Sequence, residues 1–143
     1  MPLSGKLAIV TGATSGIGAA TARLFLSKGA RVAAVGRNVS ALDALSTEGC
    51  EVVEGDLAEA GTAERVVATA VEKLGGLTTL VNCAGVLKPG AFGATAPAPA
   101  AALADFDHNF AGNTRSVFEL MVHATPHLKA AGADAGPAIV NVS

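Results

Sequence analysis

The sequence has no tyrosine and no tryptophan, only two cysteines and three histidines, and charged side chains at just 15% of its 143 positions. Cys50 and Cys83 are too few for a disulfide framework and lack metal-ligand spacing, so they read as buried or free thiols of a reducing compartment. With a net charge of -2 and a pI near 5.9, no basic stripe is left to neutralise phosphates along a nucleic acid. Every apolar run is far shorter than a bilayer span, and residues 1–6 carry no charged segment leading into one. Nucleic-acid and membrane partners are therefore not expected, and the chain reads as cytoplasmic. His108, His123 and His127 are the candidates for titration near neutrality.

Half of the residues are hydrophobic, a balance that favours a sheet buried on both faces, and the length suits one domain. Short apolar runs at residues 7–10, 31–35, 51–54, 77–81 and 138–142 alternate with stretches of helical periodicity at 19–26, 41–46, 62–74 and about 100–131. Lys28-Gly29 stops the first helix, and Ser40 is the expected N-cap of the second. Pro89, Pro97 and Pro99 mark an alanine-rich loop that turns helical only near Ala100. This low-complexity stretch reads as a passive connection, the alternative being that Ala91 to Ala104 line the entrance to a ligand cleft. Five strands and four helices in alternation build right-handed parallel β-α-β units, so the expected fold is a doubly wound α/β sheet of the Rossmann type.

The first strand runs into TGATSGIG at residues 11–18, with glycines at 12, 16 and 18. Gly12 permits a tight turn, Gly16 lets the backbone approach a pyrophosphate, and Gly18 lets the helix pack on the strand. The helix N-terminus supplies the positive end. Gly12, Thr14, Ser15, Gly16, Ile17 and Gly18 are thus candidate dinucleotide contacts. In such folds an acidic residue about 20 positions past this turn accepts a hydrogen bond from the adenosine ribose and selects NAD. Gly36-Arg37 stands there instead. A guanidinium pairs with a 2′-phosphate, which favours NADP over NAD; the plainer reading of Arg37 is a solvated residue after a strand.

In its spacing and place TGATSGIG resembles the cofactor signature of the short-chain dehydrogenase/reductase family, and later motifs follow in the family's order. Asp56-Leu57 after the third strand is similar to its adenine-contacting Asp. Asn82-Cys83-Ala84-Gly85 resembles its Asn-Asn-Ala-Gly element, with Cys83 as a small replacement. FDHNFAGNTRSVF at 106–118 resembles its fourth long helix, which implies Asn113 as the active-site asparagine of a proton relay, with Asn109 the competing position. Gly112 stands where a β-branched residue is usual.

AIVNVS at 138–143 resembles the fifth strand leading to the catalytic serine, with Ser143 aligned one position early, and the Tyr-x-x-x-Lys motif is absent. The resemblance thus implies the cofactor-binding part of an incomplete domain lacking the family's C-terminal strands. The expected activity is NADP-dependent hydride transfer on a small carbonyl or alcohol substrate, and homo-oligomers are common among relatives. The alternative is a dinucleotide-binding protein without catalysis. The apolar edge at 138–142 is expected to leave a 143-residue product prone to aggregate or to pair with another chain. None of the histidines follows a strand at the carboxyl edge. His123 and His127 have i, i+4 spacing, but Pro126 lies between them and no third metal ligand is evident, so no metal is expected.

Overall fold

The sheet is wholly parallel, with strand order β3-β2-β1-β4-β5. The structure, a computed structural model, describes residues 1–89 and 98–143. Its strands are β1 (Leu7–Thr11), β2 (Arg31–Gly36), β3 (Glu51–Glu54), β4 (Thr79–Asn82) and β5 (Ala138–Asn141). They alternate with helices α1 (Gly16–Ser27), α2 (Val39–Thr47), α3 (Thr62–Leu74), α4 (Pro99–Phe110) and α5 (Ser116–Ala130).

Successive strand residues face opposite sides, so β1 to β4 each feed two cores. Ile9, Ala33, Val35 and Leu80 pack with Val66, Val67 and Leu74 of α3 and Leu120 and Leu128 of α5. Val10, Val32, Ala34 and Val81 pack on the other face with Ala22 of α1 and Leu42 and Leu45 of α2. Burying each of the larger side chains contributes roughly 1.5–3 kcal/mol. This is the doubly wound architecture expected from the alternation of apolar runs and helical stretches.

Three local expectations need correction. Asn38, not Ser40, caps α2: its Oδ1 accepts the Ala41 N–H at 3.0 Å, and Ser40 already lies inside the helix. The first helix begins at Gly16, three residues before its apolar periodicity becomes visible, because glycines at its start carry no hydropathic signal. The fourth helix, expected as one uniform segment, contains a π turn at Ala111–Arg115 between α4 and α5. There Ser116 Oγ donates to the Gly112 carbonyl at 2.8 Å, and Gly112 is buried against Val86. The alanine-rich loop falls largely outside the described residues, while Pro99 opens α4 at its first turn, where its missing N–H costs nothing.

The two sheet edges differ. On β3, Lys73 Nζ donates to the Val52 carbonyl at 2.9 Å and Arg65 to the Glu54 carbonyl at 3.0 Å, so α3 covers that edge with cations. All four residues of β5 are exposed. No helix among the described residues is long and apolar enough to cross a membrane.

The revised cap is testable. Asn38→Ala is expected to lower stability by about 1 kcal/mol in urea denaturation, with Ser40→Ala near neutral. Equal losses would return the cap to Ser40.

Candidate functional site

The strand order reverses between β1 and β4, and a cleft opens at their carboxyl ends. Its wall is built first from glycine. Gly12 has φ +63°, and a Cβ there would lie 2.8 Å from the backbone of Ala84, so the turn after β1 touches the segment after β4 directly. Thr11, fully buried at the end of β1, locks the contact: its Oγ1 accepts the N–H groups of Cys83 and Ala84, both at 3.1 Å. A Cβ at Gly18 would fall 2.2 Å from the Gly12 carbonyl oxygen, so α1 starts hard against the turn.

Gly16 differs from these two. It has φ +51°, yet nothing lies within 4 Å of where its Cβ would be. Ser15 at the N-cap of α1 makes no side-chain capping bond, and the first turn carries no acidic residue. The helix therefore presents uncapped N–H groups beside an open glycine, which is the donor set and the space that a pyrophosphate requires.

The cleft brings together Gly12, Thr14, Ser15, Arg37, Asp56, Leu57, Ala84 and Gly85 of the anticipated contacts, along with Gly36, Gly55, Val86 and Gly112. Gly36 is required because the Thr14 methyl lies 2.4 Å from where its Cβ would be. Gly16 and Gly18 shape the first turn of α1 without lining the cleft, and Ile17 stands exposed there. Asn82 is buried beneath the cleft, not in it. Its Nδ2 donates to Asn141 Oδ1 at 2.8 Å, and its Oδ1 is buried without a partner among the described residues.

Arg37 and Asp56 are the charged groups lining the cleft, at the ends of β2 and β3. One Asp56 oxygen accepts the Ala58 N–H at 3.0 Å, and Arg37 has no ion-pair partner among the described residues. Burial pushes the Cys83 thiol up, with the Thr21 hydroxyl partly offsetting it, and burial likewise raises Cys50. Both are free thiols.

Asn113 sits in the π turn, and its side chain is committed at both ends. Oδ1 accepts the Val86 N–H and Nδ2 donates to the Val86 carbonyl, each at 2.7 Å. Asn109, which competed with it at the level of sequence, does the same to Lys88, at 2.8 and 2.9 Å. Gly112 admits this approach, since a Cβ there would meet Val86 Cγ2 at 2.3 Å; a β-branched residue would push the helix away. Sequence reasoning missed Thr11, whose only signal was a hydroxyl at the end of an otherwise apolar strand.

The family model for short chain dehydrogenases matches residues 6–143. The chain belongs to the short-chain dehydrogenase/reductase family. It is 35% identical to D-threitol dehydrogenase of Mycolicibacterium smegmatis, over 99% of this chain and 53% of that enzyme. Among solved structures, a Serratia marcescens short-chain dehydrogenase/reductase has a TM-score of 0.80 and 34% identity, covering 99% of this chain and 56% of that one. A Burkholderia cenocepacia short chain dehydrogenase in complex with NADP has a TM-score of 0.75 and 30% identity, covering 90% and 53%. The chain spans about half the length of these relatives.

The glycines make separable predictions. Gly12→Ala, strained by its positive φ and by the Ala84 contact, should cost upwards of about 2 kcal/mol of stability by urea denaturation. Gly16→Ala should cost only about 1 kcal/mol yet place a methyl in the open cradle, abolishing dinucleotide binding by a protein that still folds. A Gly16→Ala protein that binds normally would remove the cradle from Gly16. Since burial raises both thiols, a thiol reagent at neutral pH should label the folded chain far more slowly than the urea-unfolded one.

Proposed function

We propose that this chain is the dinucleotide-binding part of an NADP-dependent oxidoreductase that moves hydride between the nicotinamide and a small carbonyl or secondary alcohol. The family supplies the coarse reading, an oxidoreductase of the short-chain type. The observation that carries the cofactor choice is Arg37. It lines the cleft at the end of β2, where a carboxylate would otherwise meet the ribose, and it has no ion-pair partner among the described residues. A free guanidinium there favours a 2′-phosphate through charge-assisted hydrogen bonds and has nothing comparable to offer a bare hydroxyl. The relative solved with NADP is consistent with this choice.

In this reading the turn from Gly12 to Gly18 and the start of α1 hold the pyrophosphate, and Asp56 and Leu57 bound the adenine. Ala84 and Gly85 leave room for the dinucleotide to cross from β2 toward β4. The bound nicotinamide would supply the hydride. Asn113 serves here through Val86, which its side chain grips at both ends. The chain is read as a dinucleotide-binding domain that acts in the cytoplasm.

Calorimetric titration with NADP+ and NAD+ tests the reading. NADP+ is expected to bind the more tightly, and Arg37→Asp to weaken it roughly 10–100-fold while leaving NAD+ unchanged or improved. Equal affinities in the unsubstituted protein, or an indifferent Arg37→Asp, would remove the NADP assignment. A folded protein that binds neither would remove the dinucleotide reading.

A further inference from the structure

The segment that follows β4 is held to the long helix by a repeated motif. Asn113 exchanges two hydrogen bonds with the backbone of Val86, and Asn109 exchanges two with the backbone of Lys88. Asn109 and Asn113, four positions apart, thus meet the alternate residues Lys88 and Val86, each amide pairing with backbone as a neighbouring strand's peptide would. The second rung matters because α4 buries none of its residues. Among the described residues, the Asn109 rung ties the last turn of α4 to the segment that lines the cleft at Val86.

The sheet order gives this clip a functional position. Arg37 follows β2, the glycine turn follows β1, and the clipped segment follows β4, the strands lying in the order β2-β1-β4. A dinucleotide whose 2′-phosphate meets Arg37 and whose pyrophosphate lies on α1 must carry its other half past β1, along Ala84 to Val86, the part of this segment that lines the cleft. We propose that Asn109 is a positioning residue for the nicotinamide half of the dinucleotide. It acts through Lys88 to hold the segment after β4 against the long helix; this inference rests on the dinucleotide reading above.

Two probes separate the halves: NADP+ and 2′,5′-ADP, which carries the 2′-phosphate and adenosine alone. Asn109→Leu is expected to weaken NADP+ binding about tenfold, the equivalent of one lost rung, and to change 2′,5′-ADP binding less than about twofold. Amide exchange at Val86 and Lys88 should accelerate in the same protein. Asn109→Asp keeps the acceptor for the Lys88 N–H and loses the donor, so it should fall between the two and protect the Lys88 amide partly. Equal weakening of both probes, or unchanged NADP+ affinity with unchanged exchange, would overturn the role of Asn109 alone. An unsubstituted protein that binds neither probe would take the dinucleotide reading down, and this inference with it.

Discussion

Everything at the carboxyl edge of the sheet depends on the absence of a Cβ at Gly12. Because none is present, the turn after β1 lies against the backbone of Ala84, and the Thr11 hydroxyl can accept two consecutive N–H groups from the segment after β4. A buried hydroxyl that accepts from two part-buried amides offsets their loss of solvent, a deficit that reaches about 1–3 kcal/mol for a fully buried group left unmade. The same contact sets the height at which α1 begins, since Gly18 rests on the Gly12 carbonyl. The cleft is thus the gap left when two strand ends are pulled as close as backbones permit and a helix is started directly above them.

Away from this joint the molecule changes its means of cohesion. α3 and α5 are fixed by aliphatic side chains packed on the sheet, whereas α4 and the π turn are tied to the segment after β4 by asparagine amides paired with backbone. Such bonds are directional where dispersion contacts are not, so they set register as well as proximity. Gly112 allows the approach and Ser116 stabilises the irregular turn by back-bonding to it. The edges show the same economy: Arg65 and Lys73 cap the carbonyls of β3, while β5 stands exposed.

Most of the architecture was legible because hydrophobic periodicity is a direct consequence of burial. Runs such as AIV and VAAV announce strands covered on both faces, and the alternation of runs with helical periods leaves few topologies besides a doubly wound sheet. What was misread was governed by geometry that hydropathy does not record. Ser40 and Asn38 are equally plausible caps by type, and the chain's path after β2 chose Asn38. A π turn differs from an α turn in one hydrogen-bond step, and nothing in the pattern of apolar residues reports it.

For the site, the sequence by itself determined where the chain must turn tightly after β1, because three glycines between a strand and a helix mark backbone that bends and packs closely. It also determined which charged groups were available near the end of β2, since Arg37 stands where a carboxylate would otherwise be. Tertiary structure decided which of these residues meet: it placed Gly16 beside open space and Gly18 under the helix, and it sank Asn82 beneath the cleft. It also gave Asn109 and Asn113 the same task, where sequence reasoning set them against each other. The reason is physical. Composition and spacing fix what a side chain can do locally, but an asparagine's partners here lie more than twenty residues away, and only the folded sheet brings that backbone within a hydrogen bond's reach.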